Sequence, residues 1–157
     1  MSGSIRLTSV LMVALLAACA GPSPKKTAPL SPTPAPAAAK DQLYRALGGE
    51  AGIASVVDAS LKEIHNDLRI NILFEKTDIA DLRRLLIEQI CAATGGPCTY
   101  SGRSMEEAHS GLNLTDADFD AFVEDLVRAM NSVKVPQDLQ KQVLDLLGPM
   151  RPQVVGQ

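Results

Sequence analysis

Residues 99–112 read Thr-Tyr-Ser-Gly-Arg-Ser-Met-Glu-Glu-Ala-His-Ser-Gly-Leu, and this stretch places one histidine, His109, on a short helix. Ser104 and Glu107 have the S-x-x-E spacing of a capping box, in which each side chain accepts a hydrogen bond from the backbone N–H of the other residue. His109 then faces the same way as Met105, four residues earlier. A neutral imidazole on such a helix can serve as a metal ligand. A packed or hydrogen-bonded histidine has the same pattern, so both interpretations stay open.

Apolar residues at helical spacing continue on both sides of this stretch, and no run alternates with the period of two that strands require. Residues 41–157 therefore predict one all-α domain, long enough to bury a core. Capping residues and glycine or proline breaks divide this domain into helices. Asp41 can cap the first helix, and Thr115 and Asp118 repeat the capping-box spacing. We expect helices at 41–47, at about 50–66, from Thr77 or Asp78 to Gly95-Gly96, around His109, from Thr115 to about 130, and from Pro136 to 147 before a break at Gly148-Pro149.

Composition narrows the classes of function. The formal net charge of −3 gives no indication of nucleic-acid binding, which favours a strongly basic surface. We find no internal repeat, no phosphate-binding glycine loop and no paired-cysteine zinc motif in the sequence. The stretch around His109 therefore remains the most informative part of the sequence.

The N-terminus has the features of an export signal. Arg6 is followed by an uncharged apolar run at 7–18, which is shorter than the roughly 20 residues that span a bilayer. The run ends in Leu16-Ala17-Ala18-Cys19, which resembles the lipobox of bacterial lipoproteins. That resemblance implies a signal peptide at 1–18, a lipid on Cys19 and, because Ala20 is not aspartate, an outer-membrane location facing the periplasm. An ordinary signal peptide with an incidental Cys19 is the alternative.

Residues 19–40 predict a tether. Six of the ten prolines lie here, and alanines, serines and two lysines, Lys25 and Lys26, lie between them. Proline lacks a backbone N–H and fixes φ, so we expect an extended segment without a core. The tether would hold the domain at 41–157 away from a membrane.

The order of elements in 41–157 resembles that of the group 1 truncated (two-over-two) haemoglobins over nearly the whole domain. The resemblance implies an all-α truncated globin fold, a two-over-two helical sandwich around haem, with His109 as the proximal ligand of the iron. It also implies reversible binding of oxygen or another diatomic gas, and an unidentified reductase as partner. The matching motifs are Leu43-Tyr44-Arg45-Ala46-Leu47-Gly48-Gly49-Glu50, Phe74, Gly95-Gly96-Pro97, Tyr100-Ser101-Gly102, Met105 with His109, Leu112-Asn113-Leu114-Thr115 with Phe119, and Leu144 to Pro149.

The same resemblance assigns further residues to the haem pocket. A flat apolar macrocycle would supply much of the core that a chain with 3% aromatic residues otherwise lacks. Arg103 is the candidate partner of the haem propionates, with Arg83 and Arg84 as further candidates, because arginine binds carboxylates through two N–H groups. The haem-contact candidates are Leu61, Phe74, Leu82, Leu86, Met105, Leu114 and Phe119.

The chain departs from the family on the distal side. Members usually carry a tyrosine in the second helix and a glutamine in the distal helix, which donate hydrogen bonds to oxygen, whereas the aligned residues here are Leu61 and Leu86. We therefore expect an apolar distal pocket that releases oxygen quickly. Ser60 and Gln89 are possible substitute donors, although packing or solvent exposure suits both. The other histidine, His65, is expected at the helix end and not at the iron.

Two cysteines, Cys91 and Cys98, flank the Gly95-Gly96-Pro97 turn. A chain reversal there can bring their Cα atoms within the roughly 4.4–6.8 Å that a disulfide requires. An exported, oxidising compartment would let the bond persist. Two free buried thiols are the alternative.

Three classes of function remain after these observations. The first is a gas-binding haem protein. The second is a haem enzyme, such as a nitric oxide dioxygenase or a peroxidase-like protein, which lacks its usual distal donors here. The third is a haem-free structural lipoprotein, against which the presence of His109 and Phe74 argues.

Overall fold

The computed structural model describes residues 41–157, and the predicted signal peptide, Cys19 and the tether lie outside the described residues. Helices, without strands, make up the regular structure of this range, and none of these helices is long and apolar enough to cross a bilayer. The α-helices are α1 (Gln42–Ala46), α2 (Gly49–Asn66), α3 (Ile79–Ala93), α4 (Met105–His109), α5 (Asp116–Ser132) and α6 (Gln137–Leu147). Short 3-10 helices occupy Asn71–Phe74 and Gly148–Gln153.

Local capping explains where three of the helices begin. Asp78 starts α3 by accepting hydrogen bonds from the backbone N–H groups of Ala80 and Asp81. Complete capping boxes start α4, between Ser104 and Glu107, and α5, between Thr115 and Asp118. The predicted boxes are therefore both present.

Asp41 does not cap α1 as the sequence suggested. Its side chain makes no capping hydrogen bond and instead accepts one from Nε of Arg45, at 2.8 Å. Both Nε and Nη2 of Arg45 contact the same oxygen, Oδ2, and a charged guanidinium is a stronger partner for a carboxylate than a backbone N–H. The Gly48-Gly49 pair then ends the segment, and both residues take positive φ values of 90° and 66°.

The core forms where α2 packs against α3 on one side and α5 on the other. Helix α6 packs on α5, and α1 packs on α2 and α6, so the pairs α2–α3 and α5–α6 form the two layers of the fold. This arrangement matches the expected all-α, two-over-two architecture. The buried core side chains are Leu47, Ile53, Val56, Val57, Ile87, Ile90, Cys91, Leu126, Met130 and Val143.

The two 3-10 helices were not predicted from the sequence. The first, Asn71–Phe74, carries Phe74 against a small second cluster formed by Ile64, Ile70 and Ala121. The second, Gly148–Gln153, directly continues α6 beyond the expected break and packs on both α6 and α4. It brings the end of the described chain to the helix that carries His109.

Candidate functional site

His109 is the last residue of α4, and its ring is fixed by its own helix. Nδ1 lies 2.7 Å from the backbone oxygen of Met105, one turn earlier. A carbonyl oxygen can only accept, so Nδ1 must carry the proton of the neutral ring. The Nε2 atom then keeps its lone pair, which is the state of histidine that binds a metal.

The start of α4 is held by its capping box. The N–H of Ser104 donates to Oε2 of Glu107 at 3.0 Å, and the N–H of Glu107 donates to Oγ of Ser104 at 3.2 Å. The backbone and hydroxyl hydrogen bonds from Ser104 hold the pKa of Glu107 below its ordinary value of 4.5. The helix that carries His109 therefore has a defined start at neutral pH.

Glu88 of α3 anchors the loop that leads into α4. Its Oε2 accepts from the N–H and the hydroxyl of Ser101, at 2.9 and 2.7 Å. Arg84, one turn earlier on α3, donates to both Glu88 and Ser101. These hydrogen bonds, those from Ser101 above all, lower the pKa of Glu88. The loop is thus fixed to α3 by a charged side chain that stays ionised near neutral pH.

A disulfide provides a second attachment between α3 and this loop. Cys91 is fully buried and bonds to Cys98, with the two Cα atoms 5.8 Å apart. The turn between them needs glycine at 96, because an added Cβ would lie 2.6 Å from both Sγ of Cys91 and the ring of Tyr44. The covalent link restrains the approach of the chain to α4.

The predicted distal residues lie on α2 and α3. Leu61 and Leu86 are half-buried and pack against the main core, and Leu82 is also half-buried, one turn before Leu86. Leu61 and Phe74 border a cavity of about 270 Å³. Its other lining residues are Ile64, His65, Asn71, Glu75, Thr77 and Ile79.

The possible substitute donors have other partners. Oγ of Ser60 donates to the backbone oxygen of Val56 at 2.9 Å, and the residue is buried in the core. Nε2 of Gln89 lies 3.4 Å from Sδ of Met105 and 3.5 Å from Sδ of Met150. Both side chains are therefore engaged away from Leu61 and Leu86, as the packing interpretation expected.

The three arginine candidates differ in their partners. Arg83 forms an ion pair with Asp58, and Arg84 is held by Asp81 and Glu88. Arg103 makes no ion pair within residues 41–157 and donates only to the backbone oxygen of Glu107, at 3.4 Å. Of the three candidates, Arg103 is therefore the one whose guanidinium is not already paired with a carboxylate within residues 41–157.

Phe119 and Leu114 take part in contacts that the sequence did not reveal. Phe119 is buried, and the guanidinium of Arg151 lies 4.4 Å from the centroid of its ring. The backbone oxygen of Leu114 accepts from the N–H of Gly156. One face of the Phe119 ring is thus occupied by Arg151. No local motif points to Arg151, because its partners lie more than thirty residues away.

These residues fit a haem group. His109 presents a lone pair at Nε2, which a haem iron accepts as an axial ligand. The aliphatic side chains at 61, 82 and 86 suit an apolar macrocycle, and Arg103 can meet a propionate. The residues that would hold the group therefore come from α2, α3, α4 and the loop before α4.

Comparison with known proteins also indicates a haem-binding globin. The family model for bacterial-like globins matches residues 42–155. The group 1 truncated haemoglobin of Nostoc sp. is 36% identical over 109 residues, which cover 69% of this chain and 92% of that protein. The crystal structure of the truncated haemoglobin from Tetrahymena pyriformis in its Fe(III) form has a TM-score of 0.71 and 28% identity, covering 73% of this chain and 98% of that one. 

A second solved structure is also similar. It is the 2/2 haemoglobin of a Synechococcus species, described in the cyanomet state with covalently attached haem. Its TM-score is 0.68 at 33% identity, and the match covers 73% of this chain and 98% of that one. From the matched family model and these relatives, the chain belongs to the bacterial-like globins, in their truncated, two-over-two form.

Proposed function

We propose that this chain is a haem protein that reversibly binds oxygen or another diatomic gas, with His109 as the axial ligand. The observation that carries the proposal is the hydrogen bond from Nδ1 of His109 to the backbone oxygen of Met105, at 2.7 Å. It fixes the ring and its tautomer and leaves Nε2 free to donate its lone pair. Family membership supports the same assignment.

When bound, haem would supply an iron to which a diatomic gas can bind. The residues of this chain would hold the group and shape its surroundings. Met105 orients the imidazole through its backbone oxygen, and the capping box of Ser104 and Glu107 keeps the helix start in place. Leu61 and Leu86 are half-buried aliphatic side chains and offer no hydrogen-bond donor. Arg103 would hold a propionate at the mouth of the pocket.

Gas binding is favoured over redox turnover by the distal leucines. Nitric oxide dioxygenation and peroxide chemistry both need polar groups that stabilise developing charge on oxygen. Leu61, Leu82 and Leu86 carry none, and Ser60 and Gln89 are engaged elsewhere. A haem enzyme is therefore the second candidate.

The proposal is tested by titrating the purified domain 41–157 with haemin. We expect a saturable Soret band at one haem per chain, which shifts on reduction and again when carbon monoxide is added. A spectrum that never departs from free haemin would reject haem binding. Sustained consumption of nitric oxide or peroxide by the loaded protein would instead favour the enzyme.

We also propose that the domain is exported and anchored to the outer membrane through a lipid on Cys19. The Leu16-Ala17-Ala18-Cys19 sequence and the proline-rich tether support this location. Cys19→Ser should move the full-length protein from the outer-membrane fraction to a soluble fraction, with Cys98→Ser as the control. If the protein is equally soluble with and without Cys19, the anchor does not exist.

A further inference from the structure

The segment that follows α6, Gly148–Gln157, lies against α4 and against the loop between His109 and α5. Its 3-10 helix packs on α4. Further along, the N–H of Gly156 donates to the oxygen of Leu114 at 2.9 Å, and the N–H of Asn113 donates to the oxygen of Gln157 at 3.0 Å. Two backbone hydrogen bonds therefore fix the loop that leaves the proximal helix.

Arg151 attaches the same segment to the start of α5. Its guanidinium pairs with Asp116, at 2.7 Å, and with Asp120, and it stacks on the ring of Phe119. The hydrogen bonds to Asp120 and Asp116 raise the pKa of Arg151. A planar guanidinium can make both kinds of contact at once, which an ammonium group cannot do as well.

A third attachment joins the 3-10 helix to α3 and α4. The amide of Gln89 on α3 is close to the sulfur atoms of both Met105 and Met150. Met105 is the residue whose backbone oxygen orients the ring of His109. The 3-10 helix therefore meets α3 and α4 at the residue that fixes the imidazole.

The loop between α4 and α5 contains Asn113, whose φ of 49° lies in the left-handed region that asparagine adopts more readily than most residues. One segment of the chain, Gly148–Gln157, therefore contacts α4, this loop and the start of α5.

We propose that Gly148–Gln157 is a proximal clamp, and that Arg151 and Gly156 are positioning residues for His109. Neither residue reaches the metal site, and both act by fixing the segment that carries the ligand. The clamp is a property of the polypeptide. Its consequence for the iron–histidine bond rests on the function proposed above.

Two variants weaken the clamp in different ways. Arg151→Ala removes the ion pairs and the stacking on Phe119. Gly156→Ala has room for its Cβ, since no atom lies within 4 Å, but the φ of 76° disfavours an L-residue. Lys141→Ala is the matched control, because it removes an exposed ion pair with Asp145 on α6 and touches no part of the clamp.

The first measurement is hydrogen–deuterium exchange on the haem-free protein. We expect amides in 105–114 to exchange about fivefold faster in both clamp variants, a size typical of lost surface ion pairs and cation–π contacts. Exchange in α2 should not change, and Lys141→Ala should match the unmodified protein. Unchanged exchange in 105–114 in both clamp variants would overturn the clamp, whether or not the protein binds haem.

The second measurement uses the haem-loaded ferrous protein. Resonance Raman spectroscopy reports the iron–histidine stretching band, and transfer to an excess of apomyoglobin reports haem loss. Both clamp variants should shift the band and lose haem about fivefold faster. A band and a loss rate identical to those of the unmodified protein would overturn the positioning role. Failure of the unmodified protein to take up haem would reject the proposed function, and the exchange measurement would still decide the clamp.

Discussion

At the scale of single residues, the leucines at 61 and 86 determine how the distal side treats a polar ligand. Oxygen gains roughly 1–3 kcal/mol from a good hydrogen-bond donor in a dry pocket. Carbon monoxide is less polar and gains less. Because Leu61 and Leu86 carry no donor and pack against the apolar core, bound oxygen should gain no such stabilisation relative to carbon monoxide, and it should leave quickly.

Placing hydrogen-bond donors at these two positions should slow the release of oxygen. The variant Leu61→Tyr with Leu86→Gln is expected to release oxygen about tenfold to a hundredfold more slowly, the kinetic equivalent of that free energy. The control, Leu61→Phe with Leu86→Met, adds similar bulk without a donor and should leave the rate within a few-fold of the original. Stopped-flow displacement of oxygen by carbon monoxide measures both rates. Slow release already present in the unmodified protein would mean that another donor serves the pocket.

At the scale of elements, the five-residue helix α4 depends on its ends, because so short a helix is not stable by itself. The capping box fixes one end. Glu88 and the Cys91–Cys98 bond fix the loop before it. Each of these attachments should therefore affect haem retention more than it affects the rest of the fold.

The capping box makes the helix sensitive to acid. The pKa of Glu107 is lowered in the folded state, so its contribution to stability is present above 4.5 and is lost as the pH falls through the lowered folded value. Compared with Glu107→Gln, the unmodified protein should have a larger free energy of unfolding at pH 7, and the difference should vanish near pH 2. Urea unfolding followed by circular dichroism measures it. Glu106→Gln, which is outside the capping box, serves as control, and an equal pH dependence in the two variants would contradict this role of Glu107.

The disulfide should act locally on the same helix. Closing a loop with a sequence separation of 7 stabilises the fold by about 2 kcal/mol, near the low end for disulfides. Reduction should loosen haem retention more than it lowers helicity, and it should have no effect on Cys91→Ala with Cys98→Ala. Intact mass spectrometry with alkylation before and after reduction gives the oxidation state. Complete alkylation of the unreduced exported protein would show two free thiols instead.

At the scale of the whole molecule, haem should be part of the folding equilibrium. A ligand that binds only the folded state adds stability as its concentration exceeds the dissociation constant. A hundredfold excess over that constant should raise the thermal midpoint of the domain by on the order of 10 °C. Differential scanning calorimetry at several haem concentrations checks this, with buffer blanks and haemin-free protein as references. A midpoint independent of haem concentration would argue against specific binding.

Much of the fold could be predicted from the sequence because its signals are local. The capping boxes at Ser104 and Thr115 and the cap at Asp78 involve residues only three positions apart, and all three are present. The disulfide partner of Cys91, Cys98, is also close in the chain. Such short-range patterns leave few alternative structures.

The remaining features depend on residues that are distant in the sequence. Arg151 meets Asp116 and Phe119, and Gln89 meets Met150, only after the helices have packed. Asp41 is a case in which a local prediction was wrong. Its carboxylate pairs with the side chain of Arg45 and not with the backbone N–H that a helix cap would use. Periodicity identifies the faces of helices, but it carries no information about which polar side chains will meet across them.

The central claim is that His109 provides the axial ligand, and a cavity variant tests it most directly. His109→Gly removes the imidazole and leaves space that free imidazole can enter, and His65→Ala is the control at the other histidine. We predict that His109→Gly loses the ferrous spectrum of a histidine-ligated haem, that added imidazole restores it, and that His65→Ala keeps it throughout. A His109→Gly protein whose ferrous spectrum and haem affinity equal those of the unmodified chain would contradict the account.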